Sequence, residues 1–187
     1  MSASASIPFG DFTDAWPAAE RPDLVAEPVA AALGAWASAH PVESVLVVDT
    51  DPEKADTAAF CAAYGVPLEA SANCVVVAGK RGQETGYAAC MALAHTRLDV
   101  NRTVRTQLGA RKASFAPMDA VVAESGMEYG GITPIGLPAG WPLLVDEAAA
   151  ESPWLVVGSG LRRGKILLPG RALAALPGAR VIRGLAA

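Results

Sequence analysis

Two apolar runs joined by a short turn constrain the fold of this chain more than any other feature. The runs cover residues 73–78 and 85–95, and the Gly-Lys-Arg-Gly segment at residues 79–82 is typical of a β-hairpin turn. Both alternating faces of the second run are apolar, which predicts a central strand that is covered on each side. One face carries only small residues, among them Gly86 and Cys90, so a backbone or a ligand could approach it closely.

The remaining strands and helices alternate irregularly, which favours a single-domain α+β fold with a mixed sheet over a doubly wound parallel sheet. Helices are predicted at residues 22–40, 52–64, 100–108, 117–125 and 169–176, and further strands at residues 43–49, 141–146, 154–158, 165–168 and 179–183. Pro28 should kink or restart the first helix, Gly65 should end the second, and Asp99 should cap the third.

The first 20 residues lack clear periodicity and are expected to form an irregular arm that drapes over the core. This arm contains Phe9, Phe12 and Trp16, and we hypothesise that exposed aromatic side chains here dock a partner. Together with the first predicted helix, the arm is expected to form an extension over residues 1–44.

Composition excludes several classes of protein. A hydrophobic content of 52% with only 18% charged residues is too apolar for a disordered chain. No run approaches the roughly 18 apolar residues of a membrane span, and the N-terminus lacks a signal-peptide pattern. Cys61, Cys74 and Cys90 are widely spaced and are expected to be reduced in the core of a cytoplasmic protein. His40 and His95 have no ligand pattern around them, so neither a metal nor a cofactor is expected.

Charge is distributed unevenly along the chain. Residues 1–79 carry 11 acidic and 2 basic side chains, whereas residues 80–187 carry 8 acidic and 13 basic ones. The two parts therefore have net charges of −9 and +5. Such asymmetry can mark a surface that faces a polyanion, although a solvated helix face is the commoner explanation.

A glycine- and proline-rich segment lies between residues 126 and 138. Five glycines and prolines fall between Gly130 and Pro138, too many for a helix interior or a central strand. The apolar residues among them argue against a flexible linker. The pattern predicts either a rigid, partly buried loop that presents amide N–H groups to a ligand, or a plain structural turn.

A second glycine-rich turn, at residues 158–164, carries no nucleotide-binding signature. The lysine that follows it lacks the Ser or Thr of a phosphate-binding loop, and a predicted strand stands where a helix should begin. Nothing around Ser159 resembles a nucleophile elbow. Asp146 ends a predicted strand without a second carboxylate to form a catalytic pair, and it could simply cap the next helix.

Taken together, the two glycine segments and the Pro-Leu-Leu-Val-Asp sequence that ends at Asp146 resemble the YbaK/EbsC family. This family comprises free-standing relatives of the editing insertion domain of bacterial prolyl-tRNA synthetases. The resemblance covers roughly residues 49–185. It implies a strongly curved mixed β-sheet with flanking helices, in which residues 45–187 form the editing domain.

The resemblance also implies a function, that of a trans-acting deacylase that hydrolyses the ester of a mischarged tRNA. The amino acid would be small and the tRNA often tRNA(Pro), with a synthetase as a further candidate partner. The acyl oxygen would accept hydrogen bonds from backbone amides of the first glycine-rich loop, those of Gly130, Gly131, Ile132 and Thr133. Pro134 would fix the shape of this loop. Implied substrate contacts are Thr57, Gly136, Asp146, Gly158, Ser159 and Gly160. Implied contacts to tRNA phosphates are Arg97, Arg102, Arg105, Arg111, Arg162 and Arg163.

One position departs from the family. Members commonly carry a functional lysine at the start of the strand after the helix-ending glycine, and counting from Gly65 places Asn73 there. A neutral hydrogen bond contributes about 0.5–1.5 kcal/mol, against about 1.5–3 kcal/mol for a charged one. Asn73 therefore weakens a catalytic site or marks a binding module for aminoacyl-tRNA, a synthetase or a small ligand. Hydrolysis of another small ester is a third hypothesis.

Overall fold

The structure, a computed structural model, describes residues 7–36 and 38–187. The helices are α1 (Glu27–Gly34), α2 (Thr57–Tyr64), α3 (Arg105–Gln107), α4 (Met118–Ser125), α5 (Glu147–Glu151) and α6 (Gly170–Ala174). The strands are β1 (Trp16–Pro17), β2 (Leu46–Val48), β3 (Ala72–Arg81), β4 (Glu84–Leu93), β5 (Lys112–Phe115), β6 (Leu143–Asp146), β7 (Leu155–Gly158), β8 (Lys165–Leu168) and β9 (Ala179–Ile182). No helix within the described ranges is long and apolar enough to cross a membrane.

The α+β architecture with mixed strand pairing is confirmed, and the strands divide between two sheets. One sheet has the order β1-β2-β8-β7 with antiparallel pairing throughout. The other has the order β5-β3-β4-β6-β9, with parallel pairing from β4 to β6 and from β6 to β9. An isolated bridge between Ser71 and Val156 brings the start of β3 to β7. The second sheet is thus the mixed one, and the two sheets meet at this bridge.

The hairpin of β3 and β4 confirms the prediction of a central strand, but its turn lies later than expected. Pairing continues from Ala72 opposite Leu93 to Arg81 opposite Glu84, so residues 79–81 belong to the strand. The turn is at Gly82, which has a φ of 63°. The missing side chain of Gly79 instead lets Leu108 pack closely against β3, since a Cβ at this position would lie 3.0 Å from a methyl of Leu108.

The small-residue face of β4 is covered by the segment after it and not by a ligand cavity. Buried Cys90 packs with Val100 and Val104 of that segment. The expected helix at residues 100–108 is a π-helical turn over Val100–Val104 followed by α3. Asp99 caps it as predicted, because its carboxylate accepts hydrogen bonds from the amides of Arg102 and Thr103.

The main core lies between the two sheets and is closed by α1, α5 and α6. The outer face of the four-stranded sheet is covered by α2, where buried Phe60 and Cys61 pack on Leu46 and Val156. These layers place the N-terminus of α2 beside the ends of β3 and β7. That junction positions the candidate site.

The N-terminal arm packs onto the core as predicted, but its aromatic side chains are half-buried there and not exposed as the docking hypothesis expected. Phe9 and Phe12 are half-buried against the cluster around Phe60. Trp16 of β1 pairs with Val47 of β2. The predicted helix at 22–40 is shorter, and Pro28 sits in the first turn of α1, so the helix restarts there as predicted. Residues 1–6 and 37 lie outside the described residues.

Candidate active site

A cavity of about 510 Å³ opens where the two sheets meet. It lies between the N-terminus of α2, the start of β3, the adjoining ends of β7 and β8, and the glycine-rich loop that follows α4. The lining residues that carry polar or backbone groups of interest are Asp56, Thr57, Asn73, Cys74, Gly130, Ile132, Gly158, Arg162 and Lys165. The cavity therefore gathers residues from five separate parts of the sequence.

Thr57 and Asn73 meet directly in this cavity. Thr57 is the first residue of α2, which begins there because the Asp56 carboxylate caps the amides of Ala58 and Ala59. The Thr57 hydroxyl donates a hydrogen bond of 2.8 Å to Asn73 Oδ1. This bond orients the Asn73 side chain, and its amide nitrogen has no hydrogen-bond partner among the described residues. Asn73 can therefore donate to a ligand.

The glycine-rich loop begins with a β-turn over residues 128–131. The amide of Gly131 donates to the carbonyl of Glu128 at 3.0 Å, so it is not available to a ligand. Gly130 occupies the third position of this turn with a φ of 82°, which strongly favours glycine. Within residues 7–36 and 38–187, the amides of Gly130, Ile132 and Thr133 have no hydrogen-bond partner. Gly130 and Ile132 both line the cavity.

The second glycine turn packs backbone to backbone against this loop. The amide of Gly160 donates to the carbonyl of Gly131 at 2.7 Å, and the amide of Glu128 donates to the carbonyl of Gly160 at 2.8 Å. A side chain on Gly158 would collide with the carbonyl oxygens of Gly131 and Ile132. The two segments that the sequence singled out thus hold each other in place.

Arg162 lines the cavity and links two of the segments that form its wall. Its backbone amide donates to the Glu128 carboxylate at 2.6 Å. Its guanidinium donates to the carbonyl of Pro52 at 2.9 Å and to the carbonyl of Tyr129 at 3.4 Å. Arg163 instead forms an ion pair with Asp49, whose pKa the guanidinium lowers through its hydrogen bond. Of these two arginines, Arg162 is the one that lines the cavity.

Lys165 is the functional candidate that the sequence analysis missed. It is the first residue of β8, only 7% exposed, and its ammonium lies in the cavity wall. Nζ donates to the carbonyl of Ala55 at 3.2 Å and lies 5.3 Å from the ring centre of Phe60. Burial lowers the pKa of this amine. The available signal was a lysine opening an otherwise apolar strand, Lys-Ile-Leu-Leu, in which a charge needs a reason.

The thiols near the site are not activated nucleophiles. Cys74 lines the cavity, and burial raises its pKa above the ordinary value for a thiol. Burial likewise raises the pKa of Cys90 to about 12 and that of Cys61 above its usual value. A nucleophilic cysteine requires a lowered pKa. In the part of the chain that the structure describes, no cluster of three or more His, Cys, Asp or Glu side chains could hold a metal ion.

Several predicted site residues do not line this cavity. Pro134 and Gly136 lie further along the loop, where Gly136 packs tightly against the backbone of Pro28. Buried Ser159 is close to Leu161 within its own turn. The basic residues of the segment beyond β4 also lie outside the cavity lining, and these are Arg97, Arg102, Arg105 and Arg111.

The hydrogen bonds of the Asp146 carboxylate are structural. Its carboxylate accepts hydrogen bonds from the amide of Ala148, which caps α5, and from the amide of Ala186 near the C-terminus, both at 3.1 Å. The side chain is nearly fully buried and does not line the cavity. Asp146 thus joins β6, α5 and the last residues of the chain.

We expect Asp146→Ala to lower the free energy of unfolding by about 1–2 kcal/mol, because the cap is lost and the amide of Ala186 is left unpaired. Urea denaturation measures this, and Asp119→Ala, which removes an exposed carboxylate from α4, should shift stability by no more than about 0.5 kcal/mol. Unchanged stability with a large loss of ligand affinity would contradict this role and restore Asp146 as a substrate contact.

Residues 51–176 match the model of the aminoacyl-tRNA editing domain family. No curated protein matches the sequence significantly. The fold is similar to a candidate trans-editing enzyme for prolyl-tRNA synthetase, with a TM-score of 0.70 and 21% identity over 89% of this chain and 96% of that one. It is also similar to the hypothetical protein APE2540, with a TM-score of 0.67 and 20% identity over 75% and 90% of the two chains. At these identities the structural likeness shows the fold alone.

Proposed function

This chain belongs to the aminoacyl-tRNA editing domain family, and from that premise we propose that it hydrolyses the ester of a mischarged tRNA in trans. The observation that carries the proposal is the cavity at the junction of the sheets. It is lined by Asn73 and by Gly130 and Ile132, whose amides have no hydrogen-bond partner among the described residues. These are hydrogen-bond donors of the kind that an acyl oxygen requires.

In the proposed reaction, water attacks the carbonyl carbon of the aminoacyl ester and forms a tetrahedral intermediate with a negatively charged oxygen. The amides of Gly130 and Ile132 donate to that oxygen, and each fixed donor of this kind lowers the barrier by about 2.7–4 kcal/mol. The bond from carbon to the ribose oxygen then breaks, and that oxygen takes up the proton that the attacking water has released. The products are the free amino acid and uncharged tRNA, so no nucleophile from the protein is needed.

Asn73 supplies a further hydrogen bond to the bound ester in this proposal. The Thr57 hydroxyl fixes its side chain by occupying the carbonyl oxygen, so the amide nitrogen is left for the substrate. A neutral amide is a weaker donor than an ammonium, and this is the feature that favours the second candidate function, a binding module without turnover.

We base the proposed substrate class on the short side chains at one part of the cavity lining. Thr57, Asn73 and Cys74 give it short walls, which suit a small amino acid such as alanine, cysteine or serine. The similarity to a candidate trans-editing enzyme for prolyl-tRNA synthetase makes tRNA(Pro) the first acceptor to test. Arg162 in the cavity lining is the proposed contact for a phosphate of the acceptor end. More distant phosphates would be bound by the arginines that follow β4, namely Arg97, Arg102, Arg105 and Arg111.

The direct test is deacylation of Ala-, Cys- and Ser-tRNA(Pro) by substoichiometric protein. Multiple turnovers are expected with at least one of them. Asn73→Ala should lower kcat/KM about tenfold, since it removes one neutral hydrogen bond of roughly 1.4 kcal/mol. Gln83→Ala, in the exposed hairpin turn, is the matched control and should have no effect. Absence of turnover together with retained binding of aminoacyl-tRNA would replace the deacylase by the binding module.

A further inference from the structure

We infer that Lys165 is a catalytic residue of the cavity, with its ammonium donating a hydrogen bond to the acyl oxygen of the bound ester as negative charge develops there. The inference rests on the proposed deacylase function and adds to it the charged group that Asn73 cannot supply. It is carried by the burial of Lys165, by its partners, and by its place opposite Gly158 in the sheet.

Lys165 is buried without the partner that a buried charge normally has. Lysines are almost never this buried unless they are paired. Among the described residues, no carboxylate oxygen lies within 4.0 Å of its Nζ. The hydrogen bond to the carbonyl of Ala55 occupies one of the three N–H donors. The remaining donors belong to an ammonium in a cavity wall, a position that suits a negatively charged oxygen of a ligand.

The charged and titratable groups around Lys165 do not neutralise it. Asp56 lies beyond ion-pair distance, and its carboxylate is committed to the amides at the start of α2. Cys61, also on α2, has a pKa raised by burial and stays a neutral thiol. Arg162, from the glycine turn, adds a second positive charge. An anionic oxygen in the cavity is the group that would balance this set.

The pairing of β8 places the lysine next to the amide donors. Lys165 lies opposite Val48 of β2 on one side and opposite Gly158 of β7 on the other, so its backbone is fixed on both sides. Residues directly opposite in an antiparallel pair share one face of the sheet. On that same face, a side chain at Gly158 would meet the carbonyl oxygens of Gly131 and Ile132. The Lys165 side chain therefore leaves the sheet beside the loop that carries the unbonded amides.

The test is Lys165→Met, which keeps the length of the side chain and removes its charge and donors. Loss of one oxyanion donor lowers kcat by about 100- to 1,000-fold, and we expect a loss of at least 100-fold on the best aminoacyl-tRNA. The melting temperature should stay equal or rise, because an apolar replacement of an unpaired buried charge is neutral or stabilising. Lys80→Met, at an exposed site in the hairpin, is the matched control and should keep the wild-type kcat.

The outcomes separate this inference from the proposed function. An active wild-type protein with a Lys165→Met variant of unchanged kcat overturns the role of Lys165 and leaves the deacylase in place. A lower melting temperature with kcat retained also overturns it and assigns Lys165 to structure. A wild-type protein inactive on every aminoacyl-tRNA overturns the function and this role with it. If Lys165→Met does not fold, Lys165→Gln keeps a neutral donor for Ala55 and removes the charge, and a loss of kcat of about tenfold is expected; unchanged kcat in that variant also overturns the role of Lys165.

Discussion

Gly131→Ala is expected to lower kcat/KM for aminoacyl-tRNA at least 100-fold. A Cβ at this position would lie 2.6 Å from the carbonyl carbon and oxygen of Leu161 and 2.9 Å from its nitrogen. These are backbone atoms held in the second glycine turn, so the loop has to move away from it. A displacement of about 1 Å costs on the order of 100-fold in rate, and the amides of Gly130 and Ile132 move with the loop.

Steady-state deacylation kinetics measure the loss, and urea denaturation accompanies them. Overpacking of this kind also lowers the free energy of unfolding by about 1–3 kcal/mol, which still leaves a folded population to assay. Gly86→Ala is the matched control, because a Cβ there meets nothing within 4 Å and its φ is not positive. Wild-type kcat/KM in Gly131→Ala would show that contact with the second turn does not position the amides.

The largest loss of stability is expected for Phe60→Ala, at about 3–5 kcal/mol. Phe60 is 1% exposed on α2, and its ring lies 6.1 Å from that of Phe12 and 5.2 Å from that of Tyr64. The same ring also lies beneath the Lys165 ammonium. Its removal therefore leaves a hole between α2, the N-terminal arm and the cavity wall.

Urea denaturation followed by circular dichroism measures this change. Phe115→Ala provides the control, since Phe115 is 66% exposed on the edge strand β5 and its truncation should cost no more than about 0.5 kcal/mol. A loss below about 1 kcal/mol in Phe60→Ala would mean that the arm and α2 are not packed as the ring contacts indicate.

Local sequence signals predicted the parts of the site that depend on short stretches of chain. The density of glycine and proline identified the loop after α4, because few backbone conformations are compatible with it. The Asp99 cap and the restart of α1 at Pro28 were likewise predictable, since each depends on a hydrogen bond or a steric clash between near neighbours. These are effects that act within a few residues.

The position of the hairpin turn and the burial of the aromatic side chains of the arm depended on contacts between distant residues. Gly79 looked like a turn residue, but it lies in a strand because it pairs with Gly86 of β4 and with Ala113 of β5, and Leu108 packs closely against it. Phe12 looked like an exposed residue of an extension, but Phe60 and Tyr64 offer it a stacked site. Neither partner could be identified from the sequence around the residue itself.

By itself, the sequence determined the kinds of group available to the site: a stiff glycine loop, an amide side chain in place of a cation, and thiols without an activating neighbour. Only the tertiary structure decided which of these groups meet. It joined Asn73 to Thr57, packed the second glycine turn against Gly131, and brought Lys165 into the cavity. The reason is that strand pairing and sheet packing bring together residues that lie 16 positions apart, as for Thr57 and Asn73, or 110 apart, as for Ala55 and Lys165, and no local preference encodes such contacts.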